Sequence, residues 1–134
     1  MTTQVYNKAR YLFATGALDW ATAPVHAILV NGSYAPAPGD TFLSDVPAGA
    51  IMQDVPVLSP GVLSNGVCFC TIPQFNAFTS PSAVTAVMLY VYTGNPATST
   101  LVYYSDDGLG FPFQPEGFNY AVGYDQSAGG YFQI

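Results

Sequence analysis

The fold of this chain is decided by residues 84–93, VTAVMLYVYT, its longest unbroken run of residues that favour β-strands. Alternate side chains of a strand point to opposite faces, and in this run both faces are apolar. Such a strand is buried on both sides, either at the centre of a two-layer β domain or beneath another chain. The pattern therefore predicts a central strand, and the turn at 93–96 followed by a strand over 100–105 predicts a hairpin.

The composition indicates a single domain with very little charge. Of the 134 residues 50% are hydrophobic, 15% aromatic and 7% charged, whereas soluble domains average roughly 25% charged residues. Residues 55–105 contain no Asp, Glu, Lys, Arg or His. Prolines and glycines interrupt this stretch, and no run reaches about 18 apolar residues, so we expect no membrane contact. The first residues also lack the apolar segment of a secretory signal.

The few charges are strongly acidic in balance. Eight acids and two bases give a net charge of −6, and both bases, Lys8 and Arg10, lie near the N-terminus. Binding to phosphate backbones requires several Lys or Arg side chains, so nucleic acid is excluded as a partner. A monomer with so many aromatic residues would expose large apolar patches. We therefore expect much of the surface to be buried against copies of this chain or another protein.

The remaining pattern consists of short elements separated by turns. It predicts a helix over 5–15 that ends at Gly16, a strand over 24–30 and a helical turn over 41–44 capped by Asp40. A strand over 48–58 follows, at a sheet edge near Pro56, and then a strand over 62–72. The C-terminal part is predicted to contain a turn at 106–108, a strand over 118–124, a turn at 127–130 and a last strand over 131–134. The fold class is thus mainly β. We expect a compact antiparallel β-sandwich or barrel of about seven short strands with one short N-terminal helix, forming one domain over residues 1–134.

No group of residues points to catalysis. His26 is the single histidine and falls within a strand, and there is no Gly-x-Ser-x-Gly motif. A nucleophilic site needs a base oriented by a third group beside the nucleophile. We interpret His26 as a hydrogen-bonded strand residue and predict that the protein is not an enzyme.

No cofactor or metal site is predicted either. Cys68 and Cys70 share a strand face and fall short of a zinc ligand set, so we expect buried thiols; a disulfide across an interchain contact, or a strained local one, is the alternative. Asp106, Asp107 and Glu116 lie beside glycines and are interpreted as turn formers, with a hard-cation site as the alternative.

The aromatic residues are interpreted as core and interface residues, with sugar stacking as the alternative. The chain is expected to form a homo-oligomer, a trimer or a dimer. The interface candidates are Met88, Tyr90, Tyr92, Tyr103, Tyr104, Phe111 and Phe113.

Three segments carry a resemblance to a known family. They are residues 41–50 (TFLSDVPAGA), 92–104 (YTGNPATSTLVYY) and 108–117 (GLGFPFQPEG), preceded in matching order by Asn7-Lys8-Ala9, Ile28-Leu29-Val30 and Ser33-Tyr34. Together they resemble a family of small tailed-phage virion proteins over nearly the whole chain. The departures are Gly110 inserted into a Gly-Leu-Pro pattern, Phe118 in place of a second Gly and Tyr124 in place of a Trp.

The resemblance implies a structural protein of the phage particle, made in the host cytoplasm and located in the virion. The expected role is that of a capsid decoration (cement) protein bound to the major capsid protein or to other virion proteins. A tail or head–tail connector component is the nearest alternative, and a sugar-binding accessory module of the particle is a further one. The family has no catalytic motif to transfer to this chain.

Overall fold

The elements of the protein come from a computed structural model that describes residues 3–106, 111–121 and 132–133. The helix is α1 (Asn7–Ala14), and the strands are β1 (Thr3–Val5), β2 (Val25–Val30), β3 (Ile51–Pro56), β4 (Gly61–Val62), β5 (Val67–Phe69), β6 (Gln74–Phe75), β7 (Ala86–Val91), β8 (Leu101–Ser105), β9 (Tyr120–Ala121) and β10 (Phe132–Gln133). Two 3₁₀ turns, Leu43–Asp45 and Ala48–Ala50, precede β3.

The run quoted at the start forms β7, the central strand of a five-stranded antiparallel sheet with the order β1-β8-β7-β2-β3. Met88 lies opposite Ile28 of β2 on one side and opposite Tyr104 of β8 on the other. The predictions of a central strand and of a hairpin with the following strand are confirmed.

One face of this sheet packs against the helix and the smaller sheets. Leu89 and Ala27 are fully buried on this face. The residues that cover it include Ala9, Trp20, Cys68, Cys70, Phe75 and Phe132. The Trp20 indole N–H also donates to the Phe69 carbonyl at 2.8 Å. Because full burial of one large apolar side chain contributes about 1.5–3 kcal/mol, this layer attaches the helix and the small sheets firmly to the central sheet.

The opposite face packs against the segment between β2 and β3. Ile28, Met88 and Leu101 are fully buried there. The segment covers them with Tyr34, Leu43, Val46 and Ala50. Both apolar faces of β7 are therefore covered by this chain itself.

A β-bulge changes which side chains of β8 reach each face. The pairing of β7 with β8 shifts register between Leu89 and Tyr90, so that Leu89 lies opposite Tyr103 and Tyr90 opposite Leu101. Val102 is the extra residue, and it contributes to the same core as Tyr103. A bulge of this kind lets two successive side chains enter one core layer.

A helix near the N-terminus and its end at Gly16 are confirmed, but the predicted start at residue 5 is wrong, because Thr3–Val5 forms strand β1 and the helix begins at Asn7. Gly16 adopts a φ of 77°, the left-handed conformation in which glycine has no steric cost. Its N–H donates to the Phe13 carbonyl at 3.2 Å, and the Ala17 N–H donates to the Leu12 carbonyl at 2.9 Å. This pair of bonds is a Schellman motif, which satisfies two of the carbonyls at the helix end.

The single strand predicted over 62–72 is wrong, because a turn at Asn65 and Gly66 divides it into the hairpin β4–β5. Gly66 has a φ of 85°, and the Leu63 N–H donates to the Val67 carbonyl at 2.9 Å across the turn. This hairpin and β10 form a three-stranded sheet with the order β10-β5-β4, while β6 and β9 pair separately.

The cap predicted at Asp40 is also wrong. The helical turn is Leu43–Asp45, and it is the Asp45 carboxylate that accepts the backbone N–H groups of Thr41 (2.8 Å) and Phe42 (3.0 Å). These two bonds lower the pKa of Asp45.

Asp40 instead belongs to a polar network beneath the second face of the sheet. Its carboxylate accepts the Tyr34 hydroxyl at 2.8 Å and the Ala37 N–H at 3.2 Å. The Tyr6 hydroxyl lies 2.8 Å from the Tyr34 hydroxyl. Because the single Tyr34 proton goes to Asp40, Tyr6 donates to Tyr34. The network thus joins the start of α1 to the loop after β2.

The predicted fold class is confirmed as mainly β with one helix, in a layered arrangement compatible with a sandwich. A closed barrel is excluded, because β1 and β3 are edges of the central sheet. β3 is an edge strand of the central sheet and ends at Pro56, so the predicted edge position is confirmed, whereas residues 48–50 of the predicted strand form a 3₁₀ turn. Residues 107–110, 122–131 and 134 lie outside the described residues, and with them most of the two predicted turns and much of the last two predicted strands. No described helix has the length and apolarity needed to cross a bilayer.

Candidate functional site

Most of the interface candidates lie inside the chain rather than on its surface. Met88, Tyr90, Tyr103 and Tyr104 are 0%, 1%, 5% and 4% exposed. Their cover comes from this chain's own residues, so they do not present a surface to a partner, and the interface prediction is corrected for these four. Tyr92, directly after β7, is 45% exposed and keeps its status as a candidate.

The other two candidates, Phe111 and Phe113, belong to a half-buried aromatic group. Phe113 lies 6.0 Å from Phe111 and 4.6 Å from Tyr120, and Tyr120 contacts Phe78 at 6.1 Å, all between ring centroids. The backbone of Phe113 also pairs with Val84, next to the start of β7. These rings close one end of the core and leave part of their area exposed, so the interface prediction stays open for them.

A cluster of polar and aromatic side chains lies at the opposite end of β7. It brings together His26 of β2, Asp54 of β3, Tyr90 of β7 and Tyr92. The register places His26 directly opposite Tyr90. The Tyr92 N–H donates to the carbonyl of Pro24 at 2.8 Å, which continues the pairing of β7 with β2 past the end of both strands.

The Asp54 carboxylate is the centre of this cluster. His26 Nδ1 lies 2.8 Å from its Oδ1, and the Tyr90 hydroxyl donates to its Oδ2 at 2.5 Å. Burial and then the bond to Asp54 raise the pKa of Tyr90, so its hydroxyl remains a donor at neutral pH. The Tyr92 ring stacks on the His26 ring at 4.2 Å with an interplanar angle of 8°.

This cluster fits a structural role better than catalysis. A histidine oriented by an aspartate acts in nucleophilic sites when its other nitrogen contacts a hydroxyl or thiol. Within the part of the chain that the structure describes, the hydrogen bonds of His26 reach Asp54 and Tyr90, and Tyr92 covers one ring face. As predicted, His26 is a hydrogen-bonded strand residue, and the cluster ties β2, β3 and β7 together.

A second surface feature is the outer edge of the hairpin β4–β5. β4 is the edge strand of its sheet. Three apolar side chains along it are exposed: Leu58 at 68%, Val62 at 41% and Leu63 at 43%. This edge lies within the charge-free stretch 55–105. Natural proteins usually protect an edge strand with charged side chains, and this one has none.

Neither the acids nor the cysteines form a metal site in the described residues. Asp107 lies outside them, and no group of three or more His, Cys, Asp or Glu side chains in the described ranges has the arrangement of a metal site. Cys68 and Cys70 are both buried thiols, as predicted. Burial raises the pKa of Cys68 to about 11, which keeps its thiol protonated at neutral pH.

Comparison with known proteins gives no match: no family model, curated protein or solved structure shows significant similarity to this chain.

Proposed function

We propose that this protein is a non-enzymatic structural component of a tailed-phage virion, and most specifically a decoration protein that binds the assembled head shell. The resemblance of residues 41–50, 92–104 and 108–117 to small virion proteins supports the class of function. One structural observation supports the mode of action: the surface contributed by residues 55–105 carries no charge and exposes apolar side chains at Leu58, Val62, Leu63 and Tyr92.

The distribution of charge favours a protein partner. The net charge is −6, and the two basic side chains are both engaged locally: Lys8 lies over the Tyr11 ring at 5.0 Å, and Arg10 donates to the Val5 carbonyl at 3.3 Å. Both side chains are exposed, but two basic groups are too few for the several phosphate contacts that nucleic-acid binding needs. An uncharged surface with exposed apolar side chains matches the centre of a protein–protein interface, where charged residues are depleted. The proposed partners are the major capsid protein or other virion proteins, and further copies of this chain.

A second function from a different class is kept for one reason. The exposed Tyr92 ring is held in a fixed plane by His26, and a rigid exposed aromatic face is a surface on which a sugar ring can stack. Under this alternative the protein is a sugar-binding accessory module of the particle. Tyr92→Ala would abolish glycan binding under the alternative, whereas under the main proposal the exposed Leu58, Val62 and Leu63 would keep the protein bound to the head.

Localisation on the particle tests the main proposal. Virions of the phage that carries the gene would be labelled with gold-conjugated antibodies against this chain and imaged. Even labelling over the head is the expected result. A single labelled point at the tail or at the neck would replace the proposal by the tail or head–tail component, and unlabelled particles would overturn both.

Salt dependence tests the proposed mode of binding. Purified protein would be sedimented with particles that lack it, at low and at high sodium chloride concentration. Because screening weakens contacts between charges and leaves apolar contacts in place, the bound fraction should stay constant. A steep loss of binding with salt would show that the acidic side chains, and not the uncharged surface, form the contact.

A further inference from the structure

We infer that the outer edge of β4 pairs with the same edge of a second copy of this chain, antiparallel and across a two-fold axis centred on Val62. This goes beyond the proposed function, which leaves dimer and trimer open, because it names the surface and the symmetry. It rests on the proposed function only in expecting self-association, and it is tested without virions.

The backbone of Val62 is available for this pairing. In the hairpin, Gly61 lies opposite Phe69 and Val62 opposite Cys68, and the Leu63 N–H donates to the Val67 carbonyl. Hydrogen-bonded and non-hydrogen-bonded pairs alternate along an antiparallel ladder. Since residue 63 is in a hydrogen-bonded pair, Val62 is in a non-hydrogen-bonded one, and its N–H and C=O point away from β5. Among the described residues, no other strand pairs with this edge of β4.

The side chains around Val62 are complementary to their own two-fold copies. Antiparallel pairing centred on Val62 places the Leu63 of one copy opposite the Gly61 of the other. The Phe69 ring lies over Gly61, so closely that a Cβ on Gly61 would come within 2.5 Å of it. Leu63 from the second copy would therefore pack against the Phe69 ring. A bulky residue at position 61 would leave no space for the Phe69 ring or for the Leu63 side chain of the second copy.

Charge explains why a second copy is the occupant. Two copies of a chain with a net charge of −6 repel each other wherever their acidic surfaces approach. β4 and its partner strand β5 both lie within the charge-free stretch 55–105, so pairing at this edge brings no carboxylates of these two strands together. A two-fold contact also uses the same patch on both copies and leaves no unpaired edge, which an open head-to-tail contact would do. Of the two proposed oligomers, the edge therefore fits the dimer.

Crosslinking tests the register. In the proposed pairing the two Val62 residues form a hydrogen-bonded pair with Cα atoms about 5.5 Å apart, which suits a disulfide. Cys68 lies opposite Val62 within the hairpin and would trap a new thiol in an intramolecular disulfide, so both cysteine variants are made together with Cys68→Ala. Val62→Cys should then give disulfide-linked dimers under mild oxidation. Leu58→Cys is the matched control, since it is equally apolar and more exposed, yet four residues further from the axis; its two copies would be more than about 20 Å apart. Equal crosslinking of both variants would overturn the two-fold register.

Light scattering tests the contact itself, on the full chain at micromolar concentrations and above. The wild type should reach twice the mass of one chain, with a dissociation constant raised at least tenfold by Val62→Lys and by Val62→Pro. The lysine adds a charge to the edge, whereas the proline keeps the edge apolar and removes only the outward N–H. Tyr11→Lys, at an exposed apolar position on α1, is the control and should dimerise like the wild type. Circular dichroism confirms that each variant is folded.

A one-chain mass for the folded wild type would overturn the inference, as would a dimer that Val62→Lys and Val62→Pro leave unchanged. Dimerisation in solution without labelling of virions would refute the proposed function and leave the β4 contact standing. Labelled virions together with a one-chain mass in solution would leave the proposed function standing and refute the β4 contact.

Discussion

The buried hydroxyl of Tyr34 offers the most direct measurement of how the second face of the sheet is held in place. Tyr34 is 6% exposed, donates to the Asp40 carboxylate and accepts from the hydroxyl of Tyr6, which is 0% exposed. Tyr34→Phe removes one oxygen atom and leaves the ring to pack against Tyr104, whose centroid lies 6.0 Å away. The change therefore tests the hydrogen bonds rather than the packing.

The expected loss follows from the two bonds that disappear. A hydrogen bond to a charged group contributes about 1.5–3 kcal/mol, and a buried donor left without a partner costs about 1–3 kcal/mol. The Tyr6 hydroxyl becomes such a donor, while Asp40 keeps the Ala37 N–H and partial access to water. We expect Tyr34→Phe to reduce the free energy of unfolding by about 2–4 kcal/mol.

Urea denaturation would measure this loss. Trp20 is the single tryptophan and is 1% exposed, so its fluorescence reports unfolding. With a urea slope of about 2 kcal/mol/M, in the middle of the usual range, the midpoint should fall by roughly 1–2 M. Tyr11→Phe is the matched control, because it removes the same atom from a side chain that is 60% exposed, and its midpoint should not move. Equal midpoints for the two variants would refute the claim that this network stabilises the fold.

Three further predictions concern ionisation, the buried thiols and the helix end. Burial raises the pKa values of Tyr6 and Tyr34 above the ordinary value of about 10. Their contribution to stability is therefore complete below pH 10 and is lost as the pH rises through the folded-state pKa values. Alkaline titration followed by circular dichroism should show this loss of folded protein, and stability should fall less steeply with pH in Tyr34→Phe. Cys68 and Cys70 should react with Ellman's reagent only after unfolding, since both thiols are buried and burial raises the pKa of Cys68 to about 11; rapid reaction of the native protein would contradict their placement. Gly16→Ala should lower the free energy of unfolding by about 1 kcal/mol because alanine resists a positive φ, and a urea midpoint equal to that of the wild type would show that the helix end is not fixed by this glycine.

Local patterns in the sequence were enough to predict the main elements of the fold. The two-sided apolar run at 84–93 identified β7, alternation over 24–30 identified β2, and Gly16 marked the end of α1. Each of these signals acts over a few neighbouring residues. The Asn65-Gly66 pair is a turn signal of the same kind. It marks the turn that divides the strand expected over 62–72, although the alternating apolar residues around it favour a continuous strand.

The cluster around Asp54 could not be predicted in this way. His26 and Asp54 are 28 residues apart, and their contact depends on the pairing of β2 with β3. That pairing includes a shift of register between Leu29 and Val30, which no pattern in the sequence indicates. Similarly, Asp40 occupies a position typical of a helix cap, but a stronger partner in the tertiary structure, the Tyr34 hydroxyl, takes its carboxylate.

The structure changes where self-association is expected. From the sequence alone, the charge-free stretch is too apolar for one small core, and this makes the faces of β7 interface candidates. The chain covers both faces itself, because the segment 34–50 supplies a second layer without forming a strand of the central sheet. Of the large apolar residues that remain exposed in the stretch, Leu58, Val62 and Leu63 lie along the hairpin β4–β5, and Tyr92 lies just after the end of β7. The surface available to a partner is thus the edge of a small peripheral sheet and not the faces of the central strand. At this edge, backbone groups as well as side chains can take part in the contact.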